Sequence, residues 1–279
     1  MQIGIMARTF VRPTLEETFD AVVEHEIGCI QFNFTCAGLP EMPEQIDPAL
    51  CDEIRREMKS RKITMAAVSG TFNMIHPSLR ERRRGLERLR ELASVCHMLD
   101  TSVITLCTGT RDPESMWRRH PDNDSPKAWD DLVVSMQEAL QIAEENKVTL
   151  AFEPEVSNAV DSASKGRRLL NQMRSPLLKV VMDPANIFHK GELARMREMI
   201  DEAFVLLGDY IAIGHAKDLD HDGEAGHKAA GEGLLDYDQY MSWLDTIKPN
   251  VPLILHGLTE AQVDGCVAFL RDKMAALNQ

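Results

Sequence analysis

A chain of 279 residues can bury one full core, and a single α/β barrel of about 250 residues suits it as well as two smaller domains do. Its 31 Lys and Arg against 44 Asp and Glu give a net charge of −13, so a polyanion such as duplex DNA meets net repulsion, whereas a small substrate does not. No stretch approaches the roughly 20 apolar residues of a membrane span, and the start, "MQIGIMARTF", has no basic leader before an apolar core. The expectation is a soluble cytoplasmic protein with neither a nucleic-acid nor a membrane partner, whose six scattered cysteines, lacking any CxxC pair, are reduced and mostly buried.

Along the chain, short β-rich runs alternate with longer amphipathic ones, the pattern of βαβ units on a parallel sheet. The predicted strands are "QIGIM" (2–6), "CIQFNF" (29–34), "ITMAAVS" (63–69), "SVITLCT" (102–108), "VTLAFEPE" (148–155), "LKVVMD" (178–183), "IAIGHAK" (211–217) and "PLILH" (252–256). Helix starts fall between them at Thr14 with Glu17, Ser78 with Glu81, and Thr259 with Gln262, where a hydroxyl and a carboxyl or amide three residues on satisfy free amides reciprocally. Ser125 before Pro126 is a fourth start, because proline suits the first helical position. Eight strands and about eight helices predict one (β/α)₈ barrel domain over residues 1–279, with an open doubly wound sheet as the alternative. The longest irregular piece, 108–126, follows the fourth strand. Its Arg111, Arg118, Arg119 and His120 suit either an anionic substrate group or a solvated charged surface, and Trp117 suits a sugar or a loop anchor.

In such a barrel the C-terminal strand ends share one mouth. Four successive strands there switch from apolar to ligand-type chemistry, at Glu153, Asp183, His215 and His256. Two carboxylates and two imidazoles suit one divalent ion, with Mn²⁺ the first expectation and Co²⁺ or Zn²⁺ next. Any one of the four taken alone has a structural reading, a bond to a loop backbone. Four strands in agreement favour the metal. Glu155, two residues after Glu153, reads as a base, a substrate ligand or an ion-pair partner; His189 as a substrate contact or a helix cap. Lys217 reads as a catalytic cation facing an enolate or phosphate oxygen, or as a structural pair with Asp218 or Glu155. Arg8, Asn33, Ser69 and Asn73, near the earlier strand ends, are candidates for sugar hydroxyls. The glycines of "AAGEGLLDY" follow no strand and form no nucleotide loop, and His221 and His227 read as exposed loop histidines.

The order "AFEPE", "VMDPAN", "GHAKD" resembles the sugar isomerase/epimerase superfamily of xylose isomerase-like TIM barrels, over nearly the whole chain. The resemblance implies a metal-binding Glu, Asp, His and second Glu on strands five to eight, of which the first three correspond to Glu153, Asp183 and His215. The fourth departs, because the last strand ends in His256. It also implies a two-base mechanism at the carbon beside a carbonyl, a small sugar substrate and a homodimer or tetramer. Glu153 can supply one base; His256 can serve as a ligand or as a base, but a nitrogen bonded to metal cannot also accept a proton.

These readings favour a metal-dependent isomerase or epimerase of a ketose or related sugar, phosphorylated or not. A dehydratase or keto-sugar lyase is the alternative, since one base is enough for elimination. An endonuclease of the same superfamily, for which the resemblance implies a richer histidine and carboxylate cluster holding several zinc ions, is disfavoured by the acidic charge and by the lack of matching histidines in the first half apart from His76. A sugar-binding barrel without turnover would keep the same ligands.

Overall fold

The computed structural model describes residues 1–277. Eight strands, β1 (Gln2–Met6), β2 (Cys29–Phe32), β3 (Thr64–Ser69), β4 (Val103–Cys107), β5 (Thr149–Glu153), β6 (Leu178–Met182), β7 (Ile211–Ala216) and β8 (Pro252–Leu255), form a closed parallel barrel in sequence order. Closure is made by β1 on β8, from Gln2 opposite Pro252 to Ile5 opposite Leu255. The helices α1 (Leu15–Glu24), α2 (Pro48–Ser60), α3 (Leu79–Val95), α4 (Pro126–Asn146), α5 (Ala163–Met173), α6 (Met196–Leu207), α7 (Tyr237–Ile247) and α8 (Val263–Leu277) follow the strands in turn. This is a single TIM barrel. No helix among the described residues is long and apolar enough to cross a membrane.

Helix starts follow the side-chain chemistry of the sequence. Thr14 accepts from the Glu17 amide, Ser125 accepts from Ala128 with Pro126 next to it, and Thr259 and Gln262 form a reciprocal box. Ser78 differs: its side chain caps nothing, and its own amide is taken by His76 Nδ1 at 3.0 Å. All six cysteines are free, five of them buried.

Alternation along the strands sorts side chains between two cores. One face packs against the helices, with Ile5, Ile30, Val68, Ile104, Phe152, Val180 and Leu253 fully buried. The other points into the barrel, where Met6, Cys29, Ala67, Ile213 and Ile254 form a separate apolar cluster. Gly4 opens space there, since a Cβ on it would lie 2.6 Å from Ile254 Cδ1. Continuing two residues along the same strands reaches Gln31, Ser69 and His215, so an apolar floor lies beneath a polar layer. Most strands end one or two residues earlier than the sequence predicts. Asp183 and His256 are therefore the first loop residues after β6 and β8.

Candidate metal and proton-transfer site

Four strand-end side chains meet at the barrel mouth. His215 Nδ1 lies 3.5 Å from Glu153 Oε1 and 4.0 Å from Asp183 Oδ2, and the rings of His215 and His256 are 5.2 Å apart, edge to face. One ligand-type atom each from Asp183, His215 and His256 falls within 4.8 Å of the other two. Glu153 stands at the edge of this trio, in contact through His215.

Asp183 Oδ2, His215 Nδ1 and His256 Nδ1 are buried and have no hydrogen-bond partner. Leaving a buried polar atom unsatisfied costs about 1–3 kcal/mol, so three together need a reason. One carboxylate oxygen and two imidazole nitrogens aimed at a common space fit a divalent transition ion.

The polar layer below holds the ligands in place. Gln31 Oε1 lies 3.0 Å from His215 Nε2, and its Nε2 donates to Ser69 Oγ at 3.1 Å and Thr105 Oγ1 at 3.0 Å. With the amide held by two hydroxyls, His215 carries its proton on Nε2 and keeps the Nδ1 lone pair for the trio. Tyr240 OH, from α7, lies 3.0 Å from both the Met182 and His215 carbonyls, bracing β6 and β7 where the ligands emerge. Gly214 makes room for it, since a Cβ would sit 2.8 Å from that hydroxyl.

Lys217 is 5% exposed and places Nζ 3.5 Å from Asp183 Oδ2. Its stem lies against Gly257, whose φ of +70° and missing Cβ, which would be 2.8 Å from Lys217 Cδ, explain why glycine follows His256. Burial pushes the Glu153 carboxyl up, but contact with the His215 ring and the charge of Lys217 outweigh it and hold the group below the usual carboxylate range. Burial pushes His256 well below the ordinary histidine value, with Lys217 and His215 adding to the effect, so its imidazole is neutral. Burial likewise raises Asp183, reinforced by the Glu153 charge.

Residues 19–271 match the family described as xylose isomerase-like TIM barrel. The chain belongs to this family. No curated protein sequence matches it. Among solved structures it is similar to a D-tagatose 3-epimerase-like protein (TM-score 0.79, 14% identity, covering 100% of this chain and 98% of the other). It is also similar to the D-psicose 3-epimerase of Clostridium cellulolyticum H10, solved with D-tagatose (0.74, 17%, 99% of each). A third is a probable 3-DHS dehydratase from Bacillus anthracis (0.74, 14%, 97% and 99%). At these identities the likeness shows the fold.

In this xylose isomerase-like barrel the remaining sequence candidates occupy distinct places. Glu155 is buried, accepting from the Ser157 amide at 2.9 Å and from Asn158 Nδ2 at 2.6 Å, and burial raises its carboxyl to about 7, with the Glu153 charge adding. Arg8 and Asn33 both reach Glu41 Oε1, at 3.4 and 3.1 Å, and Asn33 Oδ1 accepts from the Thr35 amide and hydroxyl. His189 Nε2 lies 3.7 Å from Asp161 Oδ2, and its amide donates to Glu192. Ser69 belongs to the Gln31 network, while Asn73 holds both the amide and the carbonyl of Thr110. The 108–126 loop keeps its arginines in ion pairs, within the loop and to its neighbours: Arg111 with Asp131, Arg118 with Asp112, and Arg119 with Asp124 and Asp161. Trp117 is 51% exposed.

Two site residues carry no role in the sequence reading. Gln31 sits inside a four-residue strand that is otherwise apolar and wholly buried, and that isolation is the signal that marks it. Asn186, in the quoted "VMDPAN", donates to Glu153 Oε1 at 2.6 Å.

Proposed function

We propose that this chain is a divalent-metal-dependent isomerase or epimerase of a ketose or related small sugar, phosphorylated or not, working through an enediolate. The observation that carries this is the convergence of three buried atoms without a hydrogen bond, on Asp183, His215 and His256, beside an ionised Glu153 and the Lys217 ammonium. A divalent ion held by the trio supplies Lewis-acid polarisation of a carbonyl, and Mn²⁺, Co²⁺ or Zn²⁺ suits the donor set. Asn186 occupies Oε1 of Glu153, while no donor reaches Oε2 among the described residues, so Oε2 is the atom that takes a proton from the carbon beside the carbonyl. Lys217 offsets negative charge growing on the substrate oxygen. A neutral His256 lends its lone pair to the ion. Sugar hydroxyls meet Arg8 and His189, while Asn33 and Glu155, buried with their polar atoms taken, hold the loops that carry the substrate pocket. Two copies or four form the working unit, in the cytoplasm.

A dehydratase or lyase of a keto-sugar or keto-inositol is the second reading, favoured by a specific observation. Glu155 already spends both oxygens on the 155–158 turn and Asp183 Oδ2 faces the ion site, which leaves Glu153 to act as the base. Elimination needs one base; stereoinversion needs a donor on each face. Product mass separates the two, because only elimination releases water or an aglycone.

The deciding experiment incubates the Mn²⁺-loaded protein with a panel of ketoses in D₂O and follows deuterium entry beside the carbonyl by NMR. Wild type exchanges, and Glu153→Gln exchanges at least about 100-fold more slowly. Equal rates in the two proteins would remove Glu153 as the base.

A further inference from the structure

The loop between β7 and α7 carries a second cluster of ligand-type side chains, separate from the barrel mouth. Asp220 Oδ1 lies 2.5 Å from His221 Nδ1 and 2.7 Å from His227 Nε2, drawing both rings onto one oxygen, with centroids 4.2 Å apart. Glu224 Oε1 closes the other side, 2.8 Å from His221 Nε2 and 3.8 Å from His227 Nδ1. One atom each from Asp220, His221 and His227 falls within 4.8 Å of the other two.

The frame around the cluster is built rather than loose. Asp218 accepts from the amides of Leu219, Gly231, Gly233 and Leu235, and its backbone pairs with Lys228. Asp222 Oδ2 takes the Gly191 and Leu193 amides, and the Gly223 amide donates to the Phe188 carbonyl. The cluster residues therefore sit on a backbone fixed from several sides, so binding an ion there has little chain ordering to offset. Lys228 Nζ, 2.9 Å from Asp220 Oδ2, pairs with the other carboxylate oxygen and leaves Oδ1 directed at the imidazoles.

We propose that Asp220, His221 and His227 form a second divalent-metal site of the Zn²⁺ class on this loop, with Glu224 holding the far nitrogens of the two rings. Two imidazoles with carboxylate oxygen suit Zn²⁺ and its late transition neighbours, and disfavour Mg²⁺ and Ca²⁺, which take all-oxygen sets. The ion replaces the shared hydrogen bonds to Asp220 Oδ1, and binding displaces the protons on the coordinating nitrogens. Its position gives it a consequence for the mouth: the Gly226 amide, in the same turn, donates to Asn186 Oδ1 at 2.9 Å, and Asn186 holds Glu153. An ion fixing the 220–227 turn thus steadies the carboxylate at the mouth through one side chain.

The test is Zn²⁺ stoichiometry by equilibrium dialysis and elemental analysis, comparing wild type with His221→Gln/His227→Gln. Both histidines lie on a solvent-facing loop, so the double variant keeps the barrel fold, checked by circular dichroism. Wild type is expected to bind one ion per chain more than the double variant, whatever number the mouth binds, so the outcome does not depend on the proposed function. Lys228→Gln, which removes the competing ammonium, is expected to bind that extra ion more tightly. Equal stoichiometry in wild type and double variant overturns the proposal, as does an extra ion held no more tightly than by free histidine.

Discussion

At the scale of single residues, the site depends on a side chain that touches no substrate position and meets the ligand trio only from below, at His215. Gln31 fixes the His215 tautomer from below, and its own orientation is set by Ser69 and Thr105. Gln31→Leu removes the acceptor for Nε2, so the ring can rotate or shift its proton to Nδ1. The expected result is a loss of metal affinity at the mouth of about 10- to 100-fold, read by competition with a chromophoric chelator, with the fold intact. Unchanged affinity would mean that His215 does not bind through Nδ1. The contrast with Asp183 shows what the sequence reveals at this scale. Asp183 is legible because an apolar run stops at it, whereas Gln31 interrupts a run that continues through Phe32, and a polar residue inside a strand has no direction until the barrel closes. Lys217 is an intermediate case: its place beside β7 was readable, but its partner was not, because Asp183 comes from a neighbouring strand and Asp218 is taken up by four backbone amides.

At the scale of elements, the loops at the mouth are tied to one another by charge. Asp161, 4% exposed, draws Arg119 from the loop after β4, Lys165 from α5 and His189 from the loop after β6. The charges of the 108–126 loop were visible in the sequence, but their use was not, because Asp131 and Asp161 lie beyond that loop. His189 offers a direct check on this arrangement. Asp161 raises the His189 value above 6.5, partly opposed by burial. The folded protein then binds the proton more tightly than the unfolded chain, so the pair's contribution to stability is complete below pH 6.5 and is lost as pH rises through the folded value. NMR titration of the His189 ring should give a value above 6.5 in wild type and a lower one in Asp161→Asn. Identical values in the two proteins would break the proposed link between the loops.

At the scale of the whole molecule, the barrel was legible because each βα unit carries its own period, strand alternation followed by a helical stripe. Closure was expected from the count of eight units, with an open sheet as the alternative, but its register was not, since the pairing of β1 with β8 depends on the tilt of all eight strands at once. Closure also has an energetic consequence. It brings Asp183, His215 and His256 together with three buried atoms that make no hydrogen bond, so without an ion the mouth is a local weakness in an otherwise packed barrel. A bound ion reverses this, stabilising the folded state by about 2.7 kcal/mol when present at 100 times its dissociation constant. His256→Leu separates the two effects. In chelator, the substitution removes one unsatisfied nitrogen from a buried position and is expected to raise unfolding free energy by about 1 kcal/mol, near 2 °C in melting temperature for a chain of this length. With Mn²⁺ or Zn²⁺ added, wild type gains several degrees while the variant gains little, because the remaining aspartate and histidine bind weakly. The curves of wild type and variant therefore cross as metal is added. A variant that melts below wild type in chelator yet keeps the full metal-induced rise would show that His256 is a packing residue, and that the ion, if bound, rests on Glu153 instead.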